Sequence, residues 1–350
     1  MRESLDLRLR IGYLRIGLAL NLMLLATSQL FTSQDFPLER GGTLPALEVA
    51  YETWGTLNAA RDNAVLVCHG YTNNQHAAGD ENGWFSGVIG PGRAVDTDRF
   101  FVVAANMLGS ALGSTGPASI CPVRGRAYGL DFPDITVGDM VNAQIRLLDH
   151  FGIGQLAAVV GSSFGGYLTF HWGTEPPERM RALVPVVSAI KGRGDLSSVD
   201  ALIARFTSAC PGWDGGQYYG NEEASGVFAE MLKLRMETLT NYGYKTGIRE
   251  LAEPWARDFD ATSLIVLRRA AVQFDATPKA SEIKAPMLYV LSRTDNLFPP
   301  AIAPATMELL ESVGVDARYY EIDSENGHRA PSIDGHLWAD ELKIFMDRIS

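Results

Sequence analysis

Residues 156–171 read LAAVVGSSFGGYLTFH, and this stretch decides the fold. Leu156–Val160 is an unbroken apolar run, as expected of a strand buried on both faces. Gly161 ends it, and a helical pattern begins at Phe164. Between the two lies Gly161-Ser162-Ser163-Phe164-Gly165, a Gly-x-Ser-x-Gly string in the strand–turn–helix context of a nucleophile elbow. Such a turn strains the serine backbone and exposes its hydroxyl, while small residues at 161 and 165 let strand and helix pass closely. The Phe164 N–H is then a donor for an oxyanion. The bland reading of the string is a glycine-rich turn with an idle serine; the flanking strand and helix weigh against it. Ser162 also offers a hydroxyl, but at the wrong spacing to the glycines.

Working outward, strand-like runs occur at 47–55 (LEVAYETWG), 64–70 (AVLVCHG), 99–106 (RFFVVAAN), 182–189 (ALVPVVSA), 286–292 (PMLYVLS) and 317–323 (ARYYEID). Helical spacing covers 136–151, with Thr136 as N-cap, and also 301–313 and 335–348. Alternation of this kind predicts a mostly parallel central sheet with right-handed crossovers and helices on both faces. Residues 190–278 lack any buried-strand signal and form helices and loops, as in VFAEMLKLRMETL (227–239). The expected architecture is an α/β-hydrolase fold with an inserted helical cap. Its core spans 35–189 and 279–350, its cap 190–278, and residues 1–34 form an N-terminal extension.

The 350 residues are 46% hydrophobic and 20% charged, enough for one large folded α/β unit. A net charge of −11 argues against nucleic-acid binding, which needs a basic face. Cys68, Cys121 and Cys210 are odd in number and far apart. They suggest neither a disulfide framework nor a zinc site, and fit a reducing, cytoplasmic setting. No other ligand cluster implies a metal. Arg2, Arg8, Arg10 and Arg15 precede the apolar run IGLALNLMLLA at 16–26. Two readings stay open: a signal peptide, or an upstream extension with Met23 as an alternative start. The run is too short for a membrane-spanning helix, so no stable membrane association is expected.

A serine hydroxyl needs a base. In this fold the chain order is Ser, then Asp or Glu, then His, so of six histidines only His328 and His336 come late enough. His328 lies in SENGHRAP, just after the run ARYYEID, where loops at strand ends carry chemistry. His336 falls at a helix start. Asp295, in PMLYVLSRTDNLFPP, is the acid expected to hold the imidazole; its plainer reading is a turn former before Asn296. Asp260 and Asp275 are alternatives within the cap. The second oxyanion donor is expected after AVLVC, at Tyr71 N–H, with His69 as a structural hydrogen-bonder.

With these residues placed, the chain resembles the homoserine O-acetyltransferase family. The strings that carry the resemblance include LPALEVAYETWGTLN, NQHAAG, GPGRAVDTDRFFVV, LGSALGSTGPASICP, YGLDFPDITVGDMV, VVGSSFGGYLTFHW, PGWDGGQYY, SRTDNLFPP and NGH. It implies a two-step acyl transfer from acetyl-CoA through an ester on Ser163, a homodimer, and Arg235 and Tyr242 as holders of an acceptor carboxylate. The bland reading of Arg235 is a solvated helix residue. The chain departs from the family pattern at Arg329, where the resemblance implies an aspartate that meets the acceptor amine. It departs also at Phe164 (usually Met), at GYTNN after His69 (usually ALTG), in IKGRGDLSSVDALIARFTSAC, and in a shorter cap.

A guanidinium facing an ammonium repels it. The first expectation is therefore a carboxylester hydrolase for small, acetyl-type esters, with water as acceptor. The second is a homoserine or amino-alcohol O-acetyltransferase, with Asp323 or Asp334 replacing the missing amine partner. A non-enzymatic member of the fold is the third, disfavoured because Ser163, Asp295 and His328 are all present.

Overall fold

The computed structural model describes residues 28–349. The signal-like run at 16–26 lies outside them. An eight-stranded sheet runs through the molecule. Its strands in chain order are β1 (Gln29–Pro37), β2 (Thr43–Trp54), β3 (Ala64–Cys68), β4 (Phe101–Ala105), β5 (Ala158–Ser162), β6 (Leu183–Val186), β7 (Met287–Ser292) and β8 (Ala317–Ile322). The spatial order is β1-β2-β4-β3-β5-β6-β7-β8. β1 and β2 are antiparallel, β2 meets β4 antiparallel, and every other pairing is parallel. Strands β3 to β7 are buried throughout, apart from Ser162 at the end of β5, which is why they appear in the sequence as apolar runs.

One strand was not expected. β1 takes in residues 29–34, so the boundary drawn at 34/35 falls inside it. Its sequence, QLFTSQDFP, is mostly exposed, and Phe36 is its one buried side chain. An edge strand with one solvated face carries little apolar signal.

Among the described residues, eight helices of eight or more residues pack around the sheet: α1 (Val137–His150), α2 (Phe164–Thr174), α3 (Ser197–Ala209), α4 (Val227–Asn241), α5 (Ile248–Asp258), α6 (Ala261–Val272), α7 (Ala303–Ser312) and α8 (Ala339–Asp347). Thr136 caps α1 in a full capping box with Asp139. Asp139 is wholly buried and also accepts the Glu39 N–H at 2.8 Å, tying α1 to the chain entering β2. Helix α2 is buried on nearly every side, so it lacks an amphipathic stripe and shows only as the apolar continuation of the elbow.

Helices α3 to α6 form the cap. Its two ends meet: Gly192 N–H donates to the Phe274 carbonyl at 2.8 Å, and Ala276 N–H donates to the Ile190 carbonyl at 3.0 Å. An ion pair joins Lys191 to Asp275 at 2.8 Å across the same neck. The cap is thus an insertion entering and leaving the core at one point, after β6. Two contacts dock it over the loop after β3. The Tyr71 hydroxyl donates to the Leu264 carbonyl on α6, and Arg235 on α4 donates to Thr72 Oγ1.

The close approach of α2 to β5 and to the end of β3 depends on glycine. A Cβ at Gly165 would overlap the backbone carbonyls of Cys68 and His69, and one at Gly161 would overlap the Gly165 carbonyl and Thr169 Oγ1. At each position the nearest obstacle is backbone, which cannot swing away. Gly165→Ala should therefore lower stability by about 2 kcal/mol or more, the scale of an overpacked core. Urea unfolding checks this, and a change below about 0.5 kcal/mol would contradict the close approach.

Candidate active site

Three loops at the C-terminal ends of parallel strands build the site. Ser163 stands between β5 and α2 with φ 57° and ψ −116°, a conformation few non-glycine residues adopt. Its N–H donates to the Val186 carbonyl on β6 at 2.9 Å, which fixes the strained residue to the sheet. His328 lies in the single turn Gly327–Arg329 that follows β8. Asp295 lies in the loop after β7 and is 1% exposed. Thr294 joins the last two loops: its hydroxyl donates to the Ser324 carbonyl at 2.9 Å and accepts from Gly327 N–H at 3.0 Å.

The side chains converge. His328 Nε2 is 2.9 Å from Ser163 Oγ, and His328 Nδ1 is 2.8 Å from Asp295 Oδ2. Asp295 Oδ1 accepts the N–H groups of Leu297 and Phe298 at 2.7 and 3.2 Å. The two readings of Asp295 are therefore both satisfied: one oxygen makes the turn and the other holds the imidazole. The alternatives lie elsewhere. Asp260 caps α6 within the cap, Asp275 closes the cap neck, and His336 sits in a turn before α8.

The loop after β3 passes over the serine, since a Cβ at Gly70 would lie 3.5 Å from the Ser163 Cβ. His69 sets this loop. Its Nε2 accepts the Met107 N–H at 3.1 Å, so its proton sits on Nδ1, which donates to the Gly70 carbonyl at 2.8 Å. Burial pulls the His69 pKa down to about 4, which keeps the ring neutral and this tautomer in place. The Gly70 carbonyl and the Tyr71 N–H belong to one peptide plane and point opposite ways. Holding the carbonyl therefore aims the Tyr71 N–H. The Phe164 N–H opens α2 and has no partner within the helix by geometry. The rings of Tyr71 and Phe164 stack in parallel, 6.0 Å apart, which holds the two donor loops side by side.

The cap lines the mouth. Tyr242, ending α4, places its ring 5.6 Å from that of His328. Arg235 is a half-buried residue, not a solvated one. Its guanidinium stacks on Trp255 at 4.7 Å, and Nη1 donates to Thr72 Oγ1 at 3.2 Å. Burial pushes its pKa down, countered by Tyr242 and Tyr244. It has no ion-pair partner among the described residues, and its Nε–H is buried without an acceptor. Arg329 stacks on Tyr244 at 4.0 Å and donates from Nη2 to Asn326 Oδ1 at 3.2 Å; its Nε–H is likewise buried and unpartnered. Asp323 and Asp334 do not serve an amine here. Asp323 pairs with Arg293 on the surface, and Asp334 accepts from Asn326 and Ser324.

Sequence reasoning did not single out Phe298, whose ring stacks against His328 at 5.7 Å, or Trp255 beneath Arg235. Phe298 stands three residues from Asp295, a signal available in DNLFPP. Among the described residues one trio, Glu39, His171 and Glu175, brings possible metal-ligand atoms within 4.8 Å. Lys279 already pairs with Glu175, and Thr136 donates to Glu39. No described helix is long and apolar enough to cross a membrane.

Sheet order, strained serine and inserted cap define an enzyme of the α/β-hydrolase superfamily, and a family profile for the alpha/beta hydrolase fold matches residues 63–330. The chain is 35% identical to a homoserine O-acetyltransferase of Moorella thermoacetica over 91% of its own length and 95% of that protein's. It belongs to the homoserine O-acetyltransferase family. Among solved structures it is similar to a homoserine O-acetyltransferase from Bacillus anthracis (TM-score 0.81, 28% identity, covering 92% of this chain and 98% of that one). It is equally similar to esterase E22 (TM-score 0.79, 29% identity, 91% and 99%).

The hydrogen-bond chain makes Asp295→Asn informative. An asparagine keeps the oxygen that accepts from Leu297 and Phe298 but cannot accept from His328 Nδ1. Folding should be preserved and turnover of 4-nitrophenyl acetate should fall by about 10⁴, the scale for a mis-held imidazole. A loss below tenfold would mean that Asp295 does not orient the base.

Proposed function

We propose that the chain is an O-acyltransferase that carries a short acyl group on Ser163 and hands it to a hydroxyl compound bearing a carboxylate. The observation that carries this reading is Arg235, a guanidinium beside the loop after β3 with no acidic partner among the described residues. A planar fork of this kind suits a carboxylate. The names of the relatives support the same class, and acetyl-CoA is the donor the resemblance implies.

The geometry accounts for each step. His328 Nε2 takes the Ser163 hydroxyl proton as Oγ attacks the donor's carbonyl carbon, and Asp295 stabilises the imidazolium. The Tyr71 and Phe164 N–H groups receive the developing oxyanion. The thioester bond breaks, and the thiolate leaves with the proton from His328. The acceptor hydroxyl then gives its proton to His328, attacks the acyl carbon, and forms the new ester. The proton returns to Ser163 Oγ. Arg235, with Tyr242 beside the imidazole, holds the acceptor carboxylate so that its hydroxyl reaches the acyl carbon.

Carboxylester hydrolysis, the first expectation from sequence, becomes the second reading. Arg329 favours it, because a second cation at the mouth disfavours an amino-acid acceptor, and an acyl-enzyme without an acceptor yields to water. The similarity to esterase E22 supports that path.

Steady-state kinetics with acetyl-CoA and a panel of homoserine and 4-hydroxybutyrate separates the two. The transfer reading predicts an O-acetylated product, parallel double-reciprocal lines, and no turnover in Ser163→Ala. Arg235→Ala should raise the acceptor KM by about tenfold or more, the loss of one charge-assisted contact of about 1.4 kcal/mol. Acetate as the sole product, with no effect of any acceptor, would assign the chain to hydrolysis.

A further inference from the structure

We infer that the substrate's alcohol portion carries two negative groups: a carboxylate met by Arg235 and a second carboxylate met by Arg329. This rests on the reading of the site as one that accepts a carboxylate-bearing hydroxyl compound, and narrows it to a hydroxydicarboxylic acid.

Two guanidinium groups stand on segments next to the catalytic loops, one beside the loop after β3 and one beside His328. Arg235 reaches down from α4 and touches Thr72, one residue past the oxyanion donor Tyr71. Arg329 follows His328 directly in the chain. The Arg329 guanidinium lies on the Tyr244 ring at 4.0 Å. Both arginines stack on aromatic rings, which fixes the plane of each fork, and each spends one Nη on a neutral acceptor, Thr72 or Asn326, and makes no ion pair among the described residues. Both hold a buried Nε–H with no acceptor. A buried donor left unmade is costly, and two in one site are consistent with an anionic guest that satisfies them.

The acids nearby are already engaged. Asp295 is taken by His328 and the turn at 297–298, and Asp334 by Ser324 and Asn326. Asp334 senses the charge of Arg329 but forms no ion pair with it. A third guanidinium, Arg193, lies over Phe298 at 5.6 Å, on the ring that stacks on His328. The mouth is therefore cationic in a chain of net charge −11. A field of that sign draws a dianion and repels an ammonium.

The test compares three ligands that share a primary hydroxyl and one carboxylate: homoserine, 4-hydroxybutyrate and (2-hydroxyethyl)malonate. They differ only in an ammonium, a hydrogen or a second carboxylate at one carbon. Calorimetric binding to the full chain with Ser163→Ala avoids any dependence on turnover. (2-Hydroxyethyl)malonate should bind about tenfold or more tighter than 4-hydroxybutyrate, and homoserine weakest of the three. With Arg329→Gln added, the preference for the second carboxylate should shrink to about twofold, while Arg329→Lys, which keeps the charge but loses the stacked fork, should fall between the two. Homoserine binding as tightly as the dicarboxylate, or a preference unchanged by Arg329→Gln, would overturn the inference, as would no binding by any of the three. A dicarboxylate preference that persists in a protein giving only hydrolysis would overturn acyl transfer and leave this inference standing.

Discussion

The structure turns on one constrained residue. Ser163 occupies a backbone conformation that costs of order 1–3 kcal/mol, and its surroundings hold it there. The Val186 carbonyl anchors its N–H, Gly161 lets β5 pass close to α2, Gly165 lets α2 approach the end of β3, and the loop of Gly70 lies against it. The sheet serves this arrangement. Parallel strands β3, β5, β7 and β8 release the loops of Tyr71, Ser163, Asp295 and His328 at the same edge, so residues separated by more than a hundred positions meet within hydrogen-bond distance.

Protons and charges are arranged in two tiers. The inner tier is neutral or paired: His69 is held uncharged by burial, and Asp295 has every oxygen engaged. The outer tier, supplied by the cap and the turn after β8, is cationic and unpaired, with Arg235 and Arg329 each braced on an aromatic ring. An inner tier of this kind suits formation of an ester on Ser163, and the outer tier governs which molecule receives it. The core of the chain therefore bears on the reaction class, and the cap on the substrate.

Much of this was legible in the sequence, for identifiable reasons. Strands β3 to β7 are buried on both faces and leave unbroken apolar runs, and Gly161 to Gly165 mark the elbow by steric necessity. His328 and Asp295 follow from chain order and from their position after strands. β1 was not legible, because Phe36 is its one buried side chain and the rest alternates at a solvated edge. The role of Arg235 was only half visible: α4 shows a helix with charged residues, and burial of this arginine depends on Trp255 from another helix and Thr72 from the core. The aiming of the Tyr71 N–H by His69 needs Met107 as a third partner, which spacing along the chain does not reveal.

The chemistry of the site stands on a covalent ester at a single oxygen. Rapid quenching of the enzyme with a short-chain acyl donor, followed by peptide mass analysis, tests it most directly. One acyl group should appear on the peptide holding Ser163, form within the first turnover, and disappear when a hydroxyl acceptor or time is given. An enzyme that turns over the donor while Ser163 stays unmodified, or that carries the acyl group on another side chain, would contradict it.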